Sequence, residues 1–533
     1  MARGDWWRHG VVYQIYPRSF CDSDGDGVGD LPGITARLDH LNDGTPDSLG
    51  VDAIWLSPFY RSPMVDFGYD VSDHTAVDPL FGTLHDFDVL LAEAHRRGIR
   101  VIVDFVPNHT SDQHPWFAAA RSRPDDPRRD WYVWADPRAD GAPPNNWVST
   151  FASADSAWSF DEATGQYYLH SYAPEQPDLN WRNPAVREAM YEVMRFWLDR
   201  GVDGLRVDAV HRIAKDPELG DNPTELADAR RHRPHPTLRH HNMDWPDIDE
   251  FLREIREVLD GYDDALGVGE AVILDPAGLV RYYGEDGDGL HLPFHFGLLQ
   301  TDWDAEALRA TLDGYDGALP NGAWPNHTLS NHDTSRIVTR LGGGKRGLLR
   351  ARAAAMLVLT LRGTPFLYYG DELGMADVPV PQEQAIDPDG RDPARSPMQW
   401  DASPGAGFTT GCPWLPLSAD AQRRNAAAQR DDATSMLSLY RRLIWYRKNS
   451  PALRWGGYQA VPSAPPGVLA YLRSAPEERL LVALNTTDRP GVLTARIAEG
   501  AHVELSTDPA RELGPVPGGA VELGPDEGLV IRA

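Results

Sequence analysis

Short, almost wholly apolar runs alternate along the chain with longer runs whose apolar residues recur at helical spacing. Residues 11–16 (VVYQIY), 53–57 (AIWLS), 100–106 (RVIVDFV), 204–209 (GLRVDA), 265–269, 290–296, 327–330 and 366–369 read as strands. Their near-continuous apolar character is that of strands covered on both faces. Helices are predicted over 31–41, 85–97, 183–200 (with Pro184 at its start), 247–261, 276–284, 305–319, 348–361 and 435–448. Eight strands each followed by a helix imply a parallel sheet with helices outside, and eight units favour closure into a (β/α)8 TIM barrel. An open doubly wound sheet would carry a phosphate-binding GxGxxG turn after a strand, and no early turn supplies one.

The rhythm breaks twice. Residues 110–177, rich in Pro, Asp, Trp and Ser, read as an insertion after strand three. Beyond about residue 456 only short strands are predicted, at 467–472, 479–484, 491–497 and 528–531, forming a C-terminal antiparallel β-sandwich domain. The domain reading is therefore a barrel over 1–109 and 178–455, an inserted domain over 110–177, and a β domain over 456–533.

Charge and cysteine usage narrow the function classes. A formal net charge of −28 argues against nucleic acid and an anionic membrane surface as partners. The two cysteines, Cys21 and Cys412, make neither a disulfide framework nor a thiolate metal site. The first residues lack the apolar core of a secretory signal and no window is long and apolar enough to span a membrane, so the expected location is cytoplasmic. The oligomeric expectation is a monomer or homodimer. No organic cofactor is implied.

Barrels place function at the C-terminal ends of their strands, and these ends are unusually polar. Strand three ends in Asp104, Asn108 and His109, strand four in Arg206 and Asp208, strand five in Glu270, and strand seven in His332 and Asp333. Any one of them is a common turn or cap residue. Together they bring three carboxylates to one mouth, the set a retaining glycosidase needs, with one ionised nucleophile and one protonated acid. Arg206 lies two residues before Asp208, so both point to one side of the strand, and the guanidinium is expected to keep Asp208 ionised. Glu270 is then the carboxyl to be held protonated.

The ordered set DFVPNH (104–109), QPDLN (176–180), GLRVDAVH (204–211), GVGEA (267–271), LSNHD (329–333) and GTPFLYYGDE (363–372) resembles glycoside hydrolase family 13, the α-amylase superfamily, over essentially the whole chain. The resemblance implies Asp208 as nucleophile, Glu270 as general acid/base and Asp333 as transition-state stabiliser. It also implies that Arg206, His109, His332, Asp70 and Tyr69 hold the glucose at the cleavage point, with Tyr69 as stacking platform. QPDLNW and RSPMQW (395–400) resemble the α-glucosidase and oligo-1,6-glucosidase group, in which the 66–70 segment and Arg395 close a pocket around a non-reducing terminal glucose. Phe294 and Phe296 read equally well as aglycone-lining residues and as ordinary barrel packing. Ala209, after the nucleophile, goes in this group with α-1,4 preference, where Val goes with α-1,6. The implied partner is a small α-glucoside. Isomerases and sucrose-acting or trehalose-forming transferases share the same fold.

One more signal is the loop 22–30, in which Asp22, Asp24 and Asp26 alternate before Gly27. The spacing is the first half of a calcium loop. The twelfth position is Gly33, not Glu, so it is no EF-hand. Asp30 and the Val28 carbonyl are the expected remaining ligands of a structural Ca2+ or Mg2+, as in the related glucosidases, against the plain reading of an acidic turn. The His-rich stretch RRHRPHPTLRHH (230–241) is read as a solvated rim on the acceptor side rather than a metal cluster.

Overall fold

The computed structural model describes residues 6–151, 155–223, 240–494, 497–498, 500–516 and 519–532. Eight parallel strands run β1 (Val12–Ile15), β2 (Ala53–Leu56), β3 (Arg100–Phe105), β4 (Gly204–Val207), β5 (Leu266–Gly269), β6 (Leu292–Pro293), β7 (Asn326–Thr328) and β8 (Thr364–Tyr368). They pair in the order β6-β5-β4-β3-β2-β1-β8-β7, with Val12 beside both Ala53 and Phe366. The seam between β6 and β7 is bridged by a side chain. Pro293 has no N–H to offer a ladder, and Asn326 joins the strands through Nδ2 to the Pro293 carbonyl (2.6 Å) and Oδ1 to the His295 N–H (3.3 Å).

Period-two alternation sorts each strand between two packings. Val12, Ala53, Trp55, Ile102, Leu266, Val268, Leu292, Phe294 and Phe366 pack inside the barrel. Tyr13, Ile15, Ile54, Val101, Val103, Leu205 and Val207 face the surrounding helices. The inward set continues beyond the aliphatic layers, so the same parity that buries Ile102 and Val268 carries Asp104, Arg206, Asp208 and Glu270 to the mouth. The helices begin as their caps dictate: Thr83 and Asp86 form a capping box on Leu84–Arg96, and Asn183 caps Pro184–Asp199 with Pro at its start. The helix expected over 31–41 is instead two short ones, Leu31–Ala36 and Leu38–Leu41, broken at Arg37.

After β3 the chain leaves the barrel and returns at one point, where His109 and Asp178 form an antiparallel bridge. The excursion carries a three-stranded sheet of Trp134–Ala135, Gln166–Leu169 and Trp158–Asp161 over a small core with Trp147, Trp158 and Leu169. The C-terminal part is a six-stranded antiparallel sheet covered by a two-stranded one, Gly491–Leu493 with Val521–Leu523. The strand expected over 491–497 stops at Leu493; residues 495 and 496 lie outside the described ones. One fully buried arginine ties this part to the barrel through backbone carbonyls: Arg473 donates to Thr360 (2.5 Å) and Leu453 (3.1 Å). Among the described residues no helix is long and apolar enough to cross a membrane.

Candidate active site

A cavity of about 550 Å³ opens at the C-terminal ends of the strands, within the usual range for small-ligand pockets. Asp208 and Glu270 line it, and behind them lies Arg206, 2% exposed, whose guanidinium is shared among three carboxylates: Nη1 donates to Asp104 (2.5 Å) and Asp208 (2.5 Å), Nη2 to Glu270 Oε2 (2.8 Å). Arg206 therefore contacts both the expected nucleophile and the expected acid, and it does not single out Asp208 as the ionised one. Burial pushes the Asp208 carboxyl well above its ordinary range; Arg206 pulls it down, and Glu270 and Asp104 add to the rise. Asp208 and Glu270 thus share one guanidinium, and the Glu270 charge opposes ionisation of Asp208. Glu270 Oε2 also accepts the Ala209 N–H (3.0 Å), which Ala209 presents by adopting a left-handed backbone (φ 44°).

Asp333 is electrostatically different. Burial would raise it, but His332, Arg391 and Arg395 hold it well below the usual carboxylate range, with Arg391 Nη1 at 3.0 Å and Arg395 Nη2 at 3.3 Å. Burial lowers His332 to about 3, so the ring is neutral at neutral pH. Gln14 Nε2 donates to its Nδ1 (2.7 Å), which leaves the ring proton on Nε2, 3.3 Å from Asp333 Oδ2. The ring is sandwiched between Tyr16 (6.0 Å) and Tyr69 (5.4 Å, 5° between planes), and Tyr69 lines the cavity as a platform. His109, likewise lowered by burial to about 4, also lines it, backed by Asn108 (3.1 Å). Behind them Lys215 Nζ pairs with Asp178 (2.9 Å).

Four expected binding residues do not line the cavity: Arg206, which is spent on the three carboxylates, and Asp70, Arg395 and Phe294. Asp70 is fully buried in its own turn, accepting from Ser62 Oγ (2.8 Å) and the N–H groups of Val65 and Asp66. Asp66 faces the cavity instead, because Met64, Phe67 and Gly68 all take positive φ and re-aim the segment. Arg395 lies beneath the wall, 1% exposed, braced on the His332 carbonyl (2.8 Å) and Asp387 (3.0 Å); Arg391, four residues earlier, is the lining arginine. Phe294 packs inside the barrel against Trp55 and Phe366, and Phe296 lines the cavity.

Arg391 forms a bridge. Nη2 meets Asp66 Oδ1 (2.6 Å), Nη1 meets Asp333, and Asp387 receives Nη2 at 2.7 Å, while the guanidinium lies over the Phe151 ring (4.9 Å). Asp66 is held from its other side by Gln176 Nε2 (2.9 Å), itself 3.1 Å from His109 Nε2. Loops after β2, β7 and β8 are thereby joined across one side of the cavity. Sequence reading passed over Arg391 and the Phe151 and Tyr172 rings of the insertion; the composition 'Pro, Asp, Trp, Ser-rich' gives no sign of which aromatic turns inward.

In the loop 22–30, carboxylate oxygens of Asp22, Asp24 and Asp30 lie within 4.8 Å of one another. Asp26 stands outside this group, its Oδ1 accepting the Val28 N–H (2.7 Å). Three hard oxygen donors fit Ca2+ or Mg2+. Asp22 also accepts from the Thr409 hydroxyl and the Gly27 N–H (2.9 Å), and a Cβ on Gly27 would sit 1.9 Å from the Cys412 carbonyl, so the loop is seated on the 408–414 segment. Of the His-rich stretch, residues 230–239 lie outside the described ones.

Comparison with known proteins fits this geometry. The family described as alpha amylase, catalytic domain, matches residues 14–456. A probable alpha-glucosidase of Rhizobium meliloti (strain 1021) is 43% identical, covering 91% of this chain and 90% of its own. An oligo-1,6-glucosidase of Parageobacillus thermoglucosidasius is 39% identical, with 91% of each chain covered. The solved structure of XgtA, an alpha-glucosyl transfer enzyme, superposes with a TM-score of 0.90 at 42% identity over 99% of both chains. The trehalulose synthase MutB of Pseudomonas mesoacidophila MX-45 gives 0.89 at 36% identity, also over 99% of both. With a barrel, three carboxylates at its mouth and a family match over most of its length, the chain belongs to the α-amylase family of glycoside hydrolases, family 13, and is a glycosidase of the α-glucosidase type.

Proposed function

We propose that the protein is an exo-acting, retaining α-glucosidase that releases glucose from the non-reducing end of maltose and short α-glucosides, with transfer to other acceptors as a side reaction. The observation that carries this reading is the Asp66–Arg391–Asp333 bridge, which closes one side of the cavity where an endo-acting enzyme needs an open groove. The terminal glucose would stack on Tyr69, with its hydroxyls held by Asp66, Arg391, Asp333 and the Nε2–H of His332. Asp208 attacks the anomeric carbon as Glu270 gives its proton to the departing oxygen; Glu270 then takes a proton from water and the glucosyl–Asp208 ester is broken. The test is product analysis. Glucose as the first product from maltotriose, released as the α anomer, supports the reading. Maltose as the first product from long amylose, trehalose from maltose, or an isomer of sucrose from sucrose would overturn it.

The α-1,4 preference rests on Ala209. Its methyl is buried and does not line the cavity, so its influence runs through the N–H it gives Glu270. A β-branched residue resists this left-handed conformation. Ala209→Val is expected to shift the ratio of kcat/KM for maltose over isomaltose towards isomaltose by about tenfold; an unchanged ratio removes Ala209 as a determinant.

A structural Ca2+ or Mg2+ held by Asp22, Asp24 and Asp30 belongs to the same proposal. At free cation about a hundred times its Kd, binding adds about 2.7 kcal/mol to stability. Thermal melts should therefore rise with added Ca2+ or Mg2+ and fall with chelator. Asp24→Asn, at an exposed position, should abolish that dependence while leaving the chelated protein's Tm in place. Identical melts with cation and chelator would sink the metal reading.

A further inference from the structure

We infer that Gln14 is a positioning residue of the glycosidase reaction, one that keeps His332 facing the glucose as an uncharged hydrogen-bond donor. The inference rests on the reading that His332 holds the terminal glucose, and adds what sets the state of its ring. Gln14 lies on β1, 1% exposed, paired with Trp55 of β2 and Tyr368 of β8. It does not line the cavity, so it acts through another group. Its inward neighbours Val12, Trp55 and Phe366 belong to the apolar packing of the barrel, and a buried carboxamide among them needs partners. Nε2 donates to Ser57 Oγ (3.1 Å) and to His332 Nδ1 (2.7 Å). Oε1 is buried, and no donor among the described residues reaches it.

Turning the amide over does not remove that orphan, and the ring shows why the nitrogen must face it. The Asp333 carboxylate only accepts, so the hydrogen in its 3.3 Å contact with Nε2 belongs to the ring. Burial opposes a positive charge on the imidazole, and Arg395, Arg206 and Arg391 add to that opposition against the pull of Asp333. The phenols of Tyr16 and Tyr69 only stack on its faces. His332 therefore carries a single hydrogen, on Nε2, and Nδ1 is a lone pair that needs a donor. With Oε1 turned towards it, either two acceptors would meet or the hydrogen would move to Nδ1. The second outcome leaves Nε2 facing Asp333 and the glucose with nothing to donate. The unpartnered Oε1 is thus a cost borne for presenting Nε2 to the ring. A methionine would fill the same space with no orphan, but it would leave Nδ1 bare.

The second imidazole of the pocket is held in the same state by a different device. Lys215 Nζ can only donate and the Asp178 carboxylate can only accept, so Asn108 turns Oδ1 to the first (3.0 Å) and Nδ2 to the second (3.2 Å). Nδ2 thereby meets His109 Nδ1 (3.1 Å), and the His109 hydrogen lies on Nε2, against the Tyr69 carbonyl (3.2 Å). Gln176 Nε2, beside that nitrogen, donates to Asp66. Neither ring then sets a positive charge near the anomeric carbon, where positive charge develops as the glycosidic bond breaks.

Two variants test the role of Gln14. Gln14→Glu sets a carboxylate on each side of the His332 ring and should keep it protonated up to higher pH. Its kcat on maltose should be about tenfold lower at the parent's optimum with KM within about twofold. Its acid limb should move to higher pH, because activity returns only as the ring loses its extra proton. Gln14→Met removes the donor without adding charge, so kcat should fall by about tenfold with the acid limb in place. Nitrogen NMR of histidine-labelled protein reads the ring without any substrate. In the parent the Nδ1 signal of His332, assigned by its loss in His332→Gln, should be that of a hydrogen-bonded imine nitrogen. It should shift towards an unbonded imine in Gln14→Met and become that of a protonated nitrogen in Gln14→Glu. The His109 signals should stay in place in both, which reports an intact fold. His332 signals in both variants that match the parent's, or a folded Gln14→Glu protein with the parent's kcat and acid limb, would overturn the inference. A parent that cleaves no maltose refutes the exo-glucosidase reading instead, and leaves the ring signals by which Gln14 is judged.

Discussion

Asp208→Ala and Glu270→Ala are expected to fail in opposite stereochemical senses when azide is supplied. Each should cost maltose hydrolysis heavily: about 10⁴-fold or more for the nucleophile and about 10²–10⁴-fold for the acid/base. With an aryl glucoside or glucosyl fluoride, whose leaving group needs no proton, azide distinguishes the roles. In Asp208→Ala it occupies the face the carboxylate vacated and gives the β-glucosyl azide. In Glu270→Ala the glucosyl–Asp208 ester still forms, and azide attacks it from the other face to give the α-glucosyl azide. The structure makes this experiment necessary, since Arg206 lies 2.5 Å from Asp208 and 2.8 Å from Glu270 and the site's charge does not choose between them. A pH shift accompanies it. Glu270 raises Asp208, so Glu270→Gln should lower the Asp208 pKa and move the acid limb of aryl glucoside cleavage to lower pH. An acid limb that stays in place, or azide products exchanged between the two variants, would reverse the assignment.

Those two carboxyls were legible in the sequence because strand parity extends to the strand ends. Ile102, Asp104, Arg206, Asp208, Val268 and Glu270 all lie on inward-facing positions, and the apolar members announce the direction of the polar ones. Legibility stops where the chain leaves regular structure. Asp66 and Asp70 are four residues apart in a turn with three positive φ values, and no periodicity tells which carboxylate faces in. Arg391 precedes and Arg395 ends a single 3-10 turn, Asp392–Arg395; burial of Arg395 against Asp387 decides which is left to line the cavity. Phe294 and Phe296 share a parity that would matter if β6 reached both, but the ladder ends at Pro293 and Phe296 already has the helical backbone of a cap. In the acidic loop Asp22, Asp24 and Asp30 come together while Asp26, whose Oδ1 accepts the Val28 N–H, lies apart from them, and the alternation of the sequence does not show this.

The residue that sequence reading missed carries the second large effect. Arg391→Met should cost about 3–5 kcal/mol of stability, because it takes from the nearly inaccessible Asp66 its ion-pair partner, while Asp387 and Asp333 keep Arg395. Arg391→Lys restores one charge but not the planar fork that spans three carboxylates; it should recover part of the stability and still lose about a hundredfold in kcat/KM through misplacement of Asp66 and Asp333. The pH dependence has a definite sign. Asp333 is held below the usual carboxylate range in the fold, so its ion pairs stabilise above the unfolded value of ~3.9 and that contribution disappears as pH falls through the lower, folded value. Removing Arg391 raises the folded value, so both the acid unfolding midpoint and the acid limb of activity should move to higher pH. Replacing Arg395 instead should disturb stability through the His332 carbonyl and Asp387 while leaving Asp66 bridged. If Arg391→Met melted with the parent protein and kept its kcat/KM, the bridge would not be what closes the glucose side, and the exo-acting reading would lose the contact on which it rests.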